Sequence, residues 1–324
     1  MLAAYAARIS ADDPLAGLEV GDVPEPEVPD GWTTVTVRAA ALNQHDLWSL
    51  RGVGLSADRL PMVLGCDAAG VDEDGREVVV YAVIGDPAAG AGDETLDLKR
   101  TLLSEAHPGT LAERVAVPKA NVVAKPAELS FAQAACLPTA WLTAYRMLVT
   151  RGGLDSGGSV LVQGAGGGVA TAAIVLGRAL GATVYATSRA EGKRRRAEEL
   201  GAVAVASGAR LPERVDLVIE SVGAATLDHS LKCLRPGGRV VVCGATSDHA
   251  AEVDLRRLFF LQLSLIGSTM GTLGELEALV ALCVQKGLRP VIDSEYGLAD
   301  ARDAFTRLAG GDAFGKVVLH VGAR

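Results

Sequence analysis

The stretch that decides the fold of this chain is Ser159–Arg189, SVLVQGAGGGVATAAIVLGRALGATVYATSR. It opens with a short apolar β run, Val160–Gln163, and continues after a glycine-rich turn with a helix-length apolar run, Val169–Leu180. A second β run follows at Thr183–Ala186. The glycines of the turn are Gly164, Gly166, Gly167 and Gly168. This order of strand, glycine turn, helix and strand predicts a βαβ unit.

The glycine turn of this unit indicates a dinucleotide site. Glycine lets the backbone turn sharply and approach a pyrophosphate without a Cβ in between. The helix that begins at Val169 presents unpaired N–H groups and the positive end of its dipole to the phosphates. A purely structural tight turn is the alternative, but the strand before the glycines and the helix and strand after them favour dinucleotide binding.

The residues at the end of the second strand favour NADPH over NADH. An NAD site carries an Asp or Glu there, which holds the ribose 2′-hydroxyl. This chain has Ser188 and Arg189 at that position, and a hydroxyl with a guanidinium suits a 2′-phosphate. The basic run Lys193–Arg196 follows in the next helix. Most of that run fits a solvated helix face, and Lys193 is assigned to the cofactor site.

Length, charge and cysteine usage point to a cytoplasmic enzyme of two domains. The chain has 324 residues and a formal net charge of −8, which argues against nucleic acid as a partner. No apolar run reaches the length of a membrane span, and the first residues lack the basic start and long apolar core of a signal peptide. The five cysteines are scattered, without a CxxC or a Cys/His pair at metal spacing, as expected of reduced thiols.

The rest of the chain predicts an α/β fold. Before the βαβ unit the sequence is β-rich and then helical, with strands expected at Thr33–Ala39, Glu77–Ala82 and Leu111–Val117 and a helix over Ser130–Thr150. After it, strands are expected at Val215–Glu220, Arg239–Cys243 and Leu263–Gly267, with helices around Gly192–Leu200, Ala224–Leu234 and Leu255–Leu261. Strands that alternate with helices predict a doubly wound parallel sheet covered on both faces.

A series of ordered motifs runs through nearly the whole chain. They are AALNQHDLWSLRG (Ala40–Gly52), PMVLGCDAAGV (Pro61–Val71), GTLAERVAVP (Gly109–Pro118), LPTAWLTAYRML (Leu137–Leu148), VQGAGGGVA (Val162–Ala170), VDLVIESVG (Val215–Gly223), LRPGGRVVVCGATS (Leu234–Ser247), LIGSTMGT (Leu265–Thr272) and FGKVVL (Phe314–Leu319). With these motifs the chain resembles the medium-chain dehydrogenase/reductase superfamily, and most of all its zinc-less quinone oxidoreductase branch.

The resemblance implies a Rossmann nucleotide-binding domain and a GroES-like β-rich catalytic domain that is built from both chain ends. The expected boundaries are 1–123 and 270–324 for the catalytic domain and 124–269 for the Rossmann domain. In the family the active site lies in the cleft between the two domains.

The resemblance also implies that metals are absent. Zinc members of the superfamily hold a catalytic zinc with a Cys/His/Cys set, and the matching positions here are Asn43, Cys66 and Thr139. One thiol among three positions does not make a zinc site with three protein ligands. The segment Gly85–His107, where zinc members carry a four-cysteine lobe, contains no cysteine. Cys66 is then either a buried structural thiol or a reactive one.

A site without zinc favours particular substrates. Zinc polarises a carbonyl and stabilises an alkoxide. Hydride addition to a quinone or an α,β-unsaturated carbonyl places the charge on a phenolate or enolate, which hydrogen bonds alone can hold. We therefore expect an NADPH-dependent reductase of quinones or enones. The alternatives are a dedicated tailoring reductase of secondary metabolism and a cofactor-bound protein with a structural, regulatory or nucleic-acid-binding role and little turnover.

Two residues of the first motif are catalytic candidates. Asn43 stands where the first zinc ligand would be, so its amide either faces the substrate oxygen or caps the helix that starts near His45. His45 takes the place of the Ser or Thr that relays protons in zinc members, and it either donates a proton or packs at the surface. No acid–base dyad is recognisable among the motifs, so solvent is expected to supply the proton.

Further site residues come from the matched motifs. Trp48, Trp141 and Met270 are expected to form pocket walls for a flat apolar substrate, and Thr139 and Thr143 to contact the nicotinamide side. Gly244, Ala245 and Thr246 follow a strand end, where ligands dock in such sheets. Lys316 matches a basic position that approaches the cofactor phosphates in relatives, with an ordinary surface lysine as the alternative.

The segment Leu255–Ile266, LRRLFFLQLSLI, predicts a homodimer. It places Phe259, Phe260 and several leucines beside the last strand of the nucleotide domain, which as an edge strand offers unpaired backbone groups. Pairing with a two-fold mate would close both edges, and relatives dimerise through the same strand.

Overall fold

The computed structural model describes residues 1–322 and divides them into two compact units. One unit comprises Met1–Thr139 together with the chain from Thr272 onward, and the other comprises Ala140–Gly271. The expected first boundary, 123/124, therefore moves to 139/140. The physical reason is that the helix Phe131–Ala135 packs on strands of the β-rich unit.

The N-terminal part of the first unit is mostly strand. Its strands are β1 (Leu2–Ala6), β2 (Leu18–Asp22), β3 (Trp32–Ala41), β4 (Met62–Val63), β5 (Ala68–Asp72), β6 (Glu77–Val80), β7 (Val83–Ile84), β8 (Thr101–Leu102), β9 (Arg114–Pro118) and β10 (Val122–Ala124). Its helices are α1 (Gln44–Leu50) and α2 (Phe131–Ala135), with 3-10 turns at Pro14–Gly17, Ala57–Arg59, Glu94–Leu96 and Lys119–Asn121.

The second unit alternates strand and helix as expected. Its strands are β11 (Ser159–Val162), β12 (Thr183–Ser188), β13 (Val203–Ala206), β14 (Val215–Glu220), β15 (Leu234–Val242) and β16 (Ser264–Gly267). Its helices are α3 (Leu142–Arg146), α4 (Gly168–Ala179), α5 (Glu191–Glu199), α6 (Ala224–Cys233) and α7 (Leu255–Phe260). One-turn π segments, Leu137–Trp141 and Met147–Arg151, flank α3.

The chain from Thr272 onward completes the first unit. It forms α8 (Leu273–Lys286), β17 (Ile292–Gly297), the 3-10 turn Leu298–Asp300, α9 (Ala301–Ala309) and β18 (Lys316–His320). Strand β18 pairs with β3 on one side and with β17 on the other. The two ends of the chain therefore form one β-rich unit, in the arrangement that the resemblance implies.

The sheets of the first unit are mostly antiparallel. The largest has seven strands in the order β10-β6-β5-β3-β18-β17, with β9 also paired to β3. In strand β3, WTTVTVRAAA, every second side chain of the first half is buried, so one face of this strand packs into the core. Gly70 on β5 lets that strand lie close to β3, since a Cβ there would come within 2.2 Å of the Thr36 carbonyl oxygen.

The sheet of the second unit is fully parallel, with six strands in the order β13-β12-β11-β14-β15-β16. The central strands read VLV and VIE because both faces are buried under helices. The order reverses between β11 and β14, so the carboxyl ends of these strands form the ligand-binding edge of such a sheet. The α/β fold class with a Rossmann unit and a β-rich GroES-like unit is confirmed.

Among the described residues 1–322, no helix has both the length and the apolarity that crossing a bilayer requires.

Candidate active site

In the first unit, the start of α1 places Asn43 and Asp46. Asn43 is the N-cap of the helix, and its backbone N–H donates to the Asp46 Oδ2 at 2.7 Å. Asp46 is fully buried, and burial raises the pKa of its carboxyl although His45 and the Asn43 N–H act in the opposite direction. Asp46, at the third helical position, therefore stabilises the start of the helix by accepting from the N-cap N–H, as in a capping box.

Lys316 lies beside this helix start because of strand register. Val318 of β18 pairs with Ala41 of β3, so continuing the antiparallel ladder by two residues brings Lys316 opposite Asn43. The lysine is 2% exposed. Its Nζ donates to the Leu42 carbonyl at 2.7 Å, the Asn43 Oδ1 at 2.5 Å and the Asp67 Oδ2 at 2.9 Å.

These contacts correct the assignment of Lys316 to the cofactor phosphates. An ammonium group has three N–H donors, and all three are engaged here by protein acceptors. The physical reason is the buried Asp67 carboxylate, which needs a cation beside it in an apolar interior.

The side chain of Asn43 is held on both sides. Its Oδ1 accepts from Lys316, and its Nδ2 donates to the Asp67 Oδ2 at 2.9 Å. Asn43 is the N-cap residue, but its amide makes no cap hydrogen bond and neither polar atom is left for a substrate oxygen, so its side chain takes neither of the two expected roles. We call Asn43, Asp67 and Lys316 the lysine cluster.

His45, one residue into α1, is held between a carboxylate and a thiol. Its Nε2 lies 2.7 Å from the Glu105 Oε1, and its Nδ1 lies 3.4 Å from the Cys66 Sγ. Burial disfavours the charged ring, but contact with Cys66, the hydrogen bond to Glu105 and the charge of Asp46 together raise the pKa of His45 well above its usual value. The ring is one quarter exposed, so it lies at the edge of the unit rather than in its core.

The Cys66 thiol is buried. Its Sγ donates to the Leu103 carbonyl at 3.4 Å, and burial raises the pKa of the thiol above its usual value. A buried thiol with a raised pKa is a poor nucleophile, so the structure favours a structural role.

Glu105 was missed by the sequence analysis. It lies in the segment that replaces the four-cysteine lobe, directly after the positive-φ residue Ser104. No local pattern pointed to it, because it meets His45 across 60 positions of sequence.

The residues present do not fit a catalytic zinc. The three positions of the zinc ligand set offer one thiol, and the oxygen of Asn43 already accepts a hydrogen bond from the Lys316 ammonium. Among residues 1–322, no three His, Cys, Asp or Glu side chains are arranged to hold a metal ion. The Thr139 hydroxyl is buried.

In the second unit, the glycine turn has the geometry of a phosphate cradle. Gly164 and Gly166 adopt φ of +73° and +138°, which favour glycine, and Gly167 is the N-cap of α4. A Cβ at Gly166 would lie 2.9 Å from the Lys193 Cδ and 3.0 Å from its Nζ. The turn therefore fits a pyrophosphate against the N-terminus of α4, which begins at Gly168 and Val169, with the Lys193 ammonium beside it.

The end of β12 carries the residues expected to select the dinucleotide. Ser188 is buried and its Oγ accepts from the Ala190 N–H at 3.3 Å, whereas Arg189 is exposed. The Arg194 guanidinium donates to the carbonyls of Ser188 at 2.9 Å and Arg189 at 3.1 Å. Arg194 belongs to the basic run that was expected to form a solvated helix face, although its position in the first turn of α5, close to the strand end, was a usable signal.

The remaining candidates divide by burial. Trp48 is half-buried with the Arg51 guanidinium 4.9 Å from its ring centre, and Met270 is half-buried at a positive φ of 49°. Trp141 is completely buried, which corrects its assignment as a pocket wall: its apolar surface is used in packing. Thr143 is buried, and Gly244, Ala245 and Thr246 follow the end of β15 as expected.

Comparisons with known proteins cover both units. A family model described as an alcohol dehydrogenase GroES-like domain matches residues 29–127, and one described as a zinc-binding dehydrogenase matches residues 168–285. The crystal structure of an NAD-dependent alcohol dehydrogenase is 34% identical to the chain, with a TM-score of 0.90, and the match covers 99% of this chain and 100% of that one.

Three curated relatives are similar over most of this chain. The 2-methylene-furan-3-one reductase of Solanum lycopersicum is 32% identical over 92% of this chain and 74% of its own length. The quinone oxidoreductase of Homo sapiens is 29% identical over 92% of each chain. The spectinabilin polyketide synthase system protein NorB of Streptomyces orinoci is 33% identical over 93% of this chain, which spans 14% of that much longer protein.

Proposed function

Because the chain belongs to the medium-chain dehydrogenase/reductase superfamily, we propose that it is an NADPH-dependent reductase that transfers a hydride, without a metal, to a quinone or an α,β-unsaturated carbonyl. The observation that carries the proposal is the lysine cluster. A buried ammonium is bonded to the residue at the first zinc-ligand position, so the catalytic unit is built around a fixed cation of its own.

The substrate class follows from this site. With no zinc to stabilise an alkoxide, the site suits acceptors whose developing charge is delocalised as a phenolate or enolate. The names of the tomato and human relatives, a 2-methylene-furan-3-one reductase and a quinone oxidoreductase, support this choice.

The cofactor of the proposal is NADPH, which supplies the hydride when bound. The turn at Gly164, Gly166 and Gly167 would hold the pyrophosphate, and Lys193 would neutralise it. Ser188 and Arg189 would hold the 2′-phosphate, with Arg194 fixing the backbone between them. A protein of similar structure is an NAD-dependent alcohol dehydrogenase, so the preference of this chain for NADPH is tested by titrating both nucleotides.

Each unit has residues with proposed roles of its own. In the first unit, Trp48 would offer an apolar surface to the substrate and Thr139 would contact the nicotinamide. In the second unit, Met270 would offer an apolar surface, and Thr143 and the segment Gly244–Thr246 would position the nicotinamide. Both ring nitrogens of His45 have protein partners, so we propose that His45 does not transfer a proton to the product. Its role would be a fixed positive charge at the site, and water would protonate the product.

A second candidate function is a tailoring reductase with one dedicated substrate in secondary metabolism. The similarity to a segment of the polyketide synthase system protein NorB favours it. Both candidates share the hydride transfer and differ in the breadth of substrates accepted.

We also propose a cytoplasmic homodimer. All five cysteines are unpaired, which suits a reducing compartment. Strand β16 is at the edge of the parallel sheet, beside the exposed side chains Leu255, Phe259, Phe260 and Leu265.

A substrate panel tests the proposed function. NADPH oxidation is followed by absorbance with quinones, enones, saturated ketones and acyl-thioester enoyl compounds. Turnover of quinones or enones, with saturated ketones inert, is the expected result. Activity on one enoyl thioester alone would favour the tailoring reductase. NADPH binding with no turnover of any compound would contradict both and leave the regulatory alternative.

A further inference from the structure

A chain of buried polar side chains runs through the second unit, below the edge where the cofactor is proposed to bind. It begins at Glu220, the fully buried last residue of β14. The Glu220 carboxylate accepts from the backbone N–H groups of Val222 at 2.8 Å and Gly223 at 3.1 Å. It also accepts from the hydroxyls of Thr226 at 2.9 Å and Ser230 at 2.6 Å.

The carboxylate sets the direction of every hydrogen bond that follows. A carboxylate only accepts hydrogen bonds, so the Ser230 hydroxyl donates to Glu220. The Ser230 Oγ in turn accepts a hydrogen bond from the Gln163 Nε2 at 3.0 Å. The amide of Gln163 is thereby oriented: its NH₂ faces Ser230 and the Nδ1 of His229, at 2.9 Å, and its carbonyl oxygen faces Thr187. The Thr187 hydroxyl then donates to the Gln163 Oε1 at 2.6 Å.

The chain ends at the glycine turn. The Thr187 Oγ1 accepts from the Gly164 backbone N–H at 3.2 Å, and Gly164 is the first positive-φ residue of that turn. Gln163 directly follows β11, Thr187 is the last residue but one of β12, and Glu220 is the last residue of β14. One continuous set of directed hydrogen bonds therefore connects three strand ends.

We propose that Gln163 and Ser230 are positioning residues for the cofactor: through Thr187 they hold the Gly164 turn, and through Glu220 the Val222–Gly223 turn, in one arrangement before the dinucleotide binds. The inference rests on the proposed cofactor site. A cradle of backbone groups binds tightly only when its geometry is preorganised, and a buried polar chain loses its order when one member is removed.

The test compares NADPH affinity in variants of the chain, measured by nucleotide fluorescence. Ser230→Ala and Gln163→Leu each interrupt the chain, and each should raise the Kd for NADPH about three- to ten-fold. The double variant should raise it by less than the product of the two, because both changes interrupt the same chain. Where turnover is measured, the KM for NADPH should rise while kcat at saturating NADPH is retained.

Two further substitutions separate positioning from general stability. Tyr185→Phe removes another hydrogen bond of β12, from the Tyr185 hydroxyl to the Glu213 Oε1 at 2.8 Å, and should leave the Kd unchanged. Thr187→Val keeps the side-chain shape and loses the hydroxyl, whereas Thr187→Ser keeps the hydroxyl. The valine variant should bind NADPH more weakly than the serine variant even if Ser230→Ala fails to fold.

The outcomes distinguish the inference from the proposed function. If the parent protein binds neither NADPH nor NADH, the proposed cofactor site is wrong, and this inference falls with it. If the parent binds NADPH but Thr187→Val and Ser230→Ala bind it equally well, only the inference is overturned. A lowered Tm with unchanged Kd in these variants would likewise assign the chain a structural role alone.

Discussion

Lys316 is the residue whose surroundings differ most from its sequence-based assignment. In the sequence it is one lysine after a glycine, 249 positions away from Asp67. Only the register of β18 on β3 brings it opposite Asn43, and that register depends on long-range strand pairing. By contrast, the local spacing of Ser188 and Arg189 after a β run was sufficient to place them at the end of β12.

Removing one partner of the ion pair in the lysine cluster should lower stability strongly, and removing the second partner as well should restore part of it. Lys316→Met leaves the buried Asp67 carboxylate without its cation and should lower the free energy of unfolding by about 3–5 kcal/mol. Lys316→Met combined with Asp67→Asn removes both charges and should recover part of this loss. Chemical denaturation of the parent, the single variant and the double variant measures the free energy of unfolding. A Lys316→Met variant as stable as the parent would contradict the buried ion pair.

His45 predicts a pH dependence of stability. Contacts with Cys66, Glu105 and Asp46 raise its pKa in the folded protein above that of the unfolded chain. The stabilisation from the charged ring is therefore fully present below the unfolded pKa, about 6.5, and is lost as the pH rises through the higher folded pKa. The destabilisation caused by His45→Gln should be largest at about pH 6 and should shrink toward alkaline pH.

Denaturation midpoints of the parent and of His45→Gln across this pH range provide the check on His45. His320→Gln is a matched control, since His320 pairs with Glu295 at a more exposed position. A difference between parent and His45→Gln that grows as the pH rises would show that the folded protein favours the neutral ring.

Arg189 predicts the cofactor preference. A charge-assisted contact to the 2′-phosphate contributes about 1.5–3 kcal/mol, so Arg189→Ala should weaken NADPH binding about ten-fold or more. NADH lacks that phosphate, and its affinity should change little. Titration of both nucleotides into the parent and the variant measures this, with Arg195→Ala on the exposed face of α5 as control. Equal affinity of the parent for NADPH and NADH would contradict the assignment.

At the scale of elements, the second unit followed its sequence pattern closely. Strands β11, β12 and β14 and helices α4 and α6 lie within a few residues of their expected bounds, because fully buried parallel strands are short apolar runs. Strand β13, Val203–Ala206, was not predicted because it is short and partly exposed. The helix expected over Ser130–Thr150 is interrupted by π segments, which no local propensity signals.

The edge strand β16 carries the prediction of a dimer. Its outer side has no strand partner among the described residues, and Phe259 and Phe260 beside it are 69% and 78% exposed. Leu265→Lys with Phe260→Lys should convert a dimer into a monomer, because charges at a two-fold contact repel each other. Light scattering at micromolar concentration measures the mass, and a monomeric parent protein would contradict the prediction.

At the scale of the whole molecule, the resemblance rather than local pattern identified how the chain ends are used. Strand β18 lies between β3 and β17, so residues 316–320 complete a sheet that begins with β3 in the N-terminal part of the chain. Periodicity along the sequence gives no information on such pairing. The same holds for the boundary at 139/140, which depends on α2 packing against β3, β5 and β18 of the first unit.

Hydride transfer from NADPH without a metal is tested by removing any bound metal before turnover is measured. The protein is treated with a strong chelator, its metal content is determined, and NADPH oxidation is then followed with a quinone and with an enone. We expect full turnover by protein without zinc, and no gain when zinc is added back. Loss of turnover on chelation, with recovery on addition of stoichiometric zinc, would contradict it.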